Sequence, residues 1–159
     1  MKKRQFNFAV LVICIIIVFA LLGGIGSIFS SKSTNSEWYQ SVRPSITPPN
    51  WIFPVVWNFL FVLISFSLYY AWTNSRNKKQ KRNITILFGI NFIFNILWTV
   101  LFFGLRQTIL SFVDLIFLLM SIIILIIFVR KISIKSAWLL VPYLIWITFA
   151  GILNFLIAF

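Results

Sequence analysis

The chain has 159 residues, of which 61% are apolar, 19% aromatic and only 10% charged, with a net charge of +12. A soluble domain carries roughly a quarter charged residues, so the composition excludes an ordinary water-soluble fold and describes a protein that lives in a bilayer. With no histidine, one cysteine and two carboxylates, it also excludes a metal site of ordinary ligand count and a nucleophile–base pair.

The charges are clustered, leaving uncharged runs at 5–31, 44–75, 83–105, 107–129 (broken only by Asp114) and 136–159. Each exceeds the ~20 residues that carry a helix across about 30 Å of hydrocarbon. Barrel strands would be about half as long and would alternate. The runs predict an all-α integral membrane protein, a bundle of five transmembrane helices near 6–29, 51–73, 84–104, 107–129 and 136–158. Residues 1–159 form one transmembrane domain.

The first run follows Lys2, Lys3 and Arg4 and is too long for the apolar core of a secretion signal, and it lacks an A-x-A cleavage site. It reads as the first helix. Cys14 lies in its middle, where it forms no intrachain disulfide and packs as a small apolar side chain. Gly23, Gly24, Gly26 and Ser27 end the helix with small residues, which suit either a helix–helix seam or a cavity wall.

Between the first two helices runs a loop at 30–50. The stretch from Trp38 to Trp57 holds four of the five prolines and three of the seven tryptophans. Proline fixes φ and drives the preceding residue toward extended geometry, so Pro44, Pro48 and Pro49 make a stiff aromatic connection rather than a flexible linker.

In the third helix Asn91, Asn95, Trp98 and Phe102 are offset by 4, 7 and 11 residues, placing all four within about 60° on one stripe. Two carboxamides without a lipid partner face protein or a cavity. Interhelical hydrogen bonding and a polar handle for a ligand both satisfy that requirement. The connection at 105–106 makes the third and fourth helices antiparallel neighbours. Asp114 is the single acid inside a span, with Arg106 poorly placed to pair with it; a structural role and a functional one both remain open. In the fifth helix Trp138 stands near the boundary, as a belt tryptophan does. Trp146 lies near mid-membrane, where its indole N–H needs a partner, and Pro142 removes a backbone hydrogen bond.

Of 14 basic residues, eleven fall at one set of helix ends: Lys2, Lys3, Arg4, then Arg76, Lys78, Lys79, Lys81, Arg82, then Arg130, Lys131, Lys135. The positive-inside rule puts the N-terminus in the cytoplasm and the C-terminus outside, in a multi-pass protein of the cell membrane. This topological bias accounts for the charge without nucleic acid, and the partner is the lipid bilayer, its anionic lipids included. At 1.5 Å per residue Trp57, Asn95, Asp114 and Trp146 lie roughly 9, 13, 10 and 20 Å below the outer ends of their helices. The expectation is a cavity opening outward, floored by Trp146 and lidded by residues 38–51. An apolar, aromatic, neutral pocket suits a flat hydrophobic molecule.

Three blocks carry a resemblance to the translocator protein (tryptophan-rich sensory, or peripheral benzodiazepine receptor) family. One is Trp38-Tyr39, Arg43-Pro44 and Pro48-Pro49-x-Trp51, ending at Trp57. The second is Asn95-x-x-Trp98, Phe102-Phe103-Gly104, Arg106-Gln107 and Val113-Asp114-Leu115. The third is Pro142-Tyr143-Leu144-x-Trp146-x-x-Phe149-Ala150-x-x-Leu153-Asn154. The resemblance implies a five-helix bundle, usually a homodimer, that binds porphyrins such as protoporphyrin IX and synthetic isoquinoline carboxamides. No resident cofactor is expected. The resemblance implies that Trp57 and Trp146 flank the ligand, with Asn91 and Asn95 as polar contacts, Tyr39, Pro48 and Trp51 from the loop, and Ala150 from the fifth helix. Bacterial members are reported to promote light-dependent oxidative breakdown of porphyrin, for which Trp57 and Trp146 are the candidate redox partners. The loop here is one residue shorter than in many members, and Pro54 stands where a Gly-Pro-x-Trp sequence is common. The sterol-recognition segment of animal members has no counterpart. The functional expectation is a tetrapyrrole receptor; a tetrapyrrole transporter and a regulatory membrane partner are the alternatives.

Overall fold

The computed structural model describes residues 7–30 and 35–159. The cations at 2–4 and Lys32 lie outside the described residues. Helix α1 runs Phe8–Val18, loosens into a π-helical stretch at Phe19–Ile25 and finishes as Gly26–Ser30. Next come a short α2 (Glu37–Val42), α3 (Ile52–Asn74) and α4 (Lys78–Thr99, extended by a π-helical turn at Val100–Gly104). Helices α5 (Thr108–Arg130) and α6 (Ile134–Ala158) complete the chain. Five helices, α1 and α3 to α6, are long and apolar enough to cross a membrane, as expected.

Around the bundle α1 packs on α3, α3 on α6, α6 on α5 and α5 on α4, while α4 returns to the far end of α1. Large apolar side chains such as Ile13, Phe59, Ile93, Ile124 and Ile145 face outward. Ser65, Ser67, Asn91, Ser111, Ser136 and Asn154 are buried. With lipid as solvent, burying leucine brings helices together no better than exposing it, so association falls to close packing and interhelical hydrogen bonds. Ser67 and Ser136 illustrate this. Each hydroxyl reaches the other residue's carbonyl, at 2.9 and 2.8 Å, and both side chains are fully buried. Only small side chains let α3 and α6 approach that closely.

Two boundaries differ from expectation. Helix α4 begins at Lys78 rather than near 84, because Asn77 caps it: the Asn77 side chain accepts from the Gln80 N–H at 2.9 Å, and Gln80 accepts from Arg76 N–H. The basic segment is helical, and its charge marks where the span leaves the bilayer rather than where the helix starts. The loop also contains a helix. Ser36 caps α2 by accepting from the Tyr39 N–H at 3.2 Å, and Glu37 sits in the first turn, where the helix dipole favours an acid. Pro44 ends it, holding Arg43 at ψ 132°. Pro54 lies in the first turn of α3, where its missing N–H costs nothing. Pro142 is accommodated inside a continuous α6.

Replacing Ser136 by valine is expected to lower stability in detergent by about 1–3 kcal/mol through crowding at this contact. Alanine should cost only ~0.6 kcal/mol, the worth of a typical interhelical hydrogen bond. Thermal denaturation followed by circular dichroism separates the two; equal losses would mean that α3 and α6 are not tightly apposed.

Candidate functional site

A cavity of about 710 Å³ opens among the ends of α1, α3, α4 and α6 that lie away from the basic residues. No residue of α5 lines it. Its α1 wall includes Gly23, which packs against Phe61: a Cβ there would stand 3.4 Å from that ring, in van der Waals contact. Gly26 and Ser27 line the same wall, so the small residues closing α1 serve the cavity. From α3 come Trp57 and Phe61, whose rings lie 5.5 Å apart, and from α6 comes Trp146, edge-on to Phe53 at 5.8 Å. Among the described residues the wall carries no charged side chain.

The lid is held by aromatic contacts. Trp38 packs edge-on against Phe102 at 5.6 Å, and Tyr39 meets Phe102 and Phe103 at 6.3 and 5.8 Å. The Arg106 guanidinium lies 5.5 Å from the centre of the Trp38 ring, a cation–π contact. Among the described residues Arg106 is the one non-glycine with positive φ, 55°. It sits in the tight turn where Gln107 N–H reaches back to the Leu101 carbonyl at 2.9 Å. Burial holds the Tyr39 phenol above its usual pKa, with the Arg43 charge pulling the other way. A raised folded-state value means that the phenol's contribution is complete below about pH 10 and lost above it. The lid contact is therefore insensitive to pH across the neutral range.

Beneath the lid a directed chain of hydrogen bonds crosses the bundle. Asn95 Nδ2 donates to Tyr143 Oη at 2.9 Å, Tyr143 donates to Asn91 Oδ1 at 3.3 Å, and Asn91 Nδ2 donates to Ser121 Oγ at 2.9 Å. Ser121 ends the chain on the Leu118 carbonyl at 2.7 Å. A second cluster centres on Asn154. Its Oδ1 accepts from Trp98 Nε1 and Ser111 Oγ, each at 3.0 Å, and its Nδ2 donates to the Thr108 carbonyl at 2.9 Å. Among the described residues Asn95 Oδ1 and the indole N–H groups of Trp57 and Trp146 have no hydrogen-bond partner.

Six expected residues converge on the cavity: Tyr39, Trp51, Trp57, Asn95, Trp146 and Ala150. Two do not. Asn91 is 1% exposed and hydrogen-bonded to Ser121 and Tyr143 across the bundle. Pro48 shapes the loop without reaching the wall. Asp114 also lies off the cavity, buried on α5 with its Oδ2 unpartnered among the described residues. Tyr143 and Asn154 went unassigned a role; their polar atoms at intramembrane positions were the available signal. Phe53, Phe61 and Phe149 carried no such mark, because an aromatic residue facing a cavity looks the same in sequence as one facing lipid.

These features define a class: a five-span helical membrane protein with a neutral aromatic cavity under a latched loop. Residues 13–159 match the profile of the TspO/MBR family. The chain is 40% identical over 154 residues to the tryptophan-rich protein TspO of Archaeoglobus fulgidus, covering 95% of this chain and 96% of that one. It is 34% identical over 160 residues to the protein of that name from Chlorobaculum tepidum (99% and 97% covered). With protein CrtK of Rhodobacter capsulatus it shares 33% identity over 141 residues (86% and 83% covered). The chain belongs to the TspO/MBR family.

Arg106→Gly relieves the positive φ yet removes the cation from Trp38, so the turn should persist while the lid loosens. Hydrogen exchange of the α2 amides is expected to speed up about tenfold in Trp38→Ala, a loss of ~1.4 kcal/mol of ring contact, and less in Arg106→Gly. Unchanged exchange in Trp38→Ala would show that the lid is held by something else. Tyr143→Phe breaks two links of the chain at once and should lower thermal stability by about 0.6–1.7 kcal/mol.

Proposed function

We propose that this protein binds tetrapyrroles of the protoporphyrin IX type in the cavity beneath the lid. The observation that supports this most is an aromatic void of about 710 Å³ whose described wall includes the indole N–H groups of Trp57 and Trp146 and the Asn95 Oδ1, none of them hydrogen-bonded within the described residues. That volume falls within the ~300–1,000 Å³ of small-molecule sites. Flat apolar guests stack on such walls, and a few polar groups orient them. Asn95 is the fixed one, because its Nδ2 is tied to Tyr143 and leaves Oδ1 for the guest.

Retention is favoured over passage. Toward the basic end the interior is filled by Ile84, Phe88, Leu125, Val129 and Leu140, each at most 2% exposed. Chemistry on the bound guest requires no acid–base pair. An excited porphyrin takes one electron from an adjacent indole, leaving an indole radical cation and a porphyrin radical anion that passes the electron to oxygen as superoxide, which gives Trp57 and Trp146 the donor role. Isoquinoline carboxamides, flat and neutral, compete for the same void.

Titration with protoporphyrin IX in darkness should quench tryptophan fluorescence saturably at micromolar concentrations, and illumination should then bleach the porphyrin. Asn95→Ala is expected to weaken binding about fivefold, the value of one neutral hydrogen bond. Trp57→Phe and Trp146→Phe should each retain binding and lose bleaching. Absence of saturable quenching removes the binding reading; undiminished bleaching in both variants removes only the redox role.

A further inference from the structure

The end of the bundle opposite the cavity carries an imbalance that nothing in the chain can neutralise. Five cations at 76–82 and three at 130–135 are all exposed there. The chain has two acids, Glu37 in the lid helix and Asp114 buried within α5, and neither stands at this end. Like charges gathered without counter-ions repel, so a folded protein would be expected to splay such segments apart. Here they are held together instead.

The last turns of α3 hold two of them, Lys81 and Lys135. Lys135, at the start of α6, lies with its ammonium 5.9 Å from the centre of the Tyr70 ring. Lys81, near the start of α4, lies 5.2 Å from the Trp72 ring. Tyr69 Oη accepts the Asn7 N–H at 3.0 Å, which fixes the start of α1 to the same turn. At 100° per residue, position 70 points about 100° from 69 and about 160° from 72, while 69 and 72 diverge by about 60°. One helix end thus carries an aromatic side chain toward each of its neighbours α1, α6 and α4. Two of these rings sit under a lysine, and both Tyr70 and Trp72 are partly buried.

We infer that this collar is a binding site for anionic phospholipid headgroups of the leaflet it meets. The uncompensated positive charge needs phosphate. The rings and cations stand at the ends of apolar spans, the depth at which tyrosine and tryptophan meet headgroups, and the outward flanks are apolar enough to accept acyl chains. A lipid supplies both parts in one molecule, whereas a nucleic acid supplies only the phosphate. Each lysine held over its ring presents its ammonium in one place, so the headgroup meets a formed site rather than a mobile charge. The cavity function does not enter this inference.

The test uses the full-length protein in nanodiscs of equal phosphatidylglycerol and phosphatidylcholine, with one of the two lipids brominated at a time. The Trp72 fluorescence component is obtained by difference from Trp72→Phe. Brominated phosphatidylglycerol should quench that component more strongly than brominated phosphatidylcholine. The preference should fall about fivefold per lysine in Lys81→Gln and Lys135→Gln. It should also collapse in about 1 M salt, where the Debye length is about 3 Å. The control is Lys78→Gln/Lys79→Gln, which removes the same charge as the double variant Lys81→Gln/Lys135→Gln but away from the rings and should cost much less. Equal quenching by the two lipids overturns the inference, as does an equal loss in the control, which would reduce the effect to bulk charge. All substituted lysines are exposed, so folding is expected to survive, and unchanged circular dichroism confirms that each comparison is between folded proteins.

Discussion

The Tyr143 hydroxyl is where the bundle is decided. It accepts from Asn95 and donates to Asn91, and through Asn91 it reaches Ser121, so one oxygen ties α6 to two levels of α4 and indirectly to α5. In a bilayer no hydrophobic force sorts the faces of a helix, and a polar atom left without a partner is costly. Three helices therefore have few registers in which these four side chains are all satisfied. Because each member donates in the same direction, the links strengthen one another. The Ser67–Ser136 contact ties α3 to α6, and the Asn154 cluster ties α6 to α4 and α5, in the same way.

That network also explains how a void survives beside it. A cavity in a packed interior forfeits dispersion contacts on every wall, and helices free to slide would close it. Below the cavity Asn95, Tyr143 and Asn91 hold α4 and α6 apart at a set distance. Above it α2 is latched to the π-helical turn of α4 through Trp38, Tyr39, Phe102 and Phe103. Both π-helical stretches, at Phe19–Ile25 and Val100–Gly104, lie at the cavity end of their helices. A wider turn rotates the side chains beyond it, and π-turns gather at functional positions. The two halves of the molecule divide the work: a filled interior next to the cations, and a hollow one beneath the lid.

Much of this was legible from the residues, and the errors have physical causes. Asn91 and Asn95 lie on one stripe, and periodicity alone treats them as equivalent. They differ because Tyr143 stands between them, exposing one face of Asn95 to the cavity and none of Asn91. Pro48, expected on the ligand side of the loop, is absent from the cavity lining. The start of α4 was misplaced because charge reports on the bilayer boundary, while helix formation follows capping by Asn77 and Gln80. In the loop, Ser36, Glu37 and Pro44 bracket α2, a signal available beforehand but masked by the density of prolines after it.

Composition and charge spacing by themselves determined that this chain crosses a membrane five times, because the length of an uncharged run is set against the thickness of hydrocarbon and depends on no neighbour. They also determined which residues are chemically unusual, since an amide or indole within a span stands out wherever it points. Only the tertiary structure decided which of those groups face the void and which are consumed in holding the helices together. That choice depends on the rotation of each helix about its axis and on the partner opposite. Neither quantity is written in one helix alone.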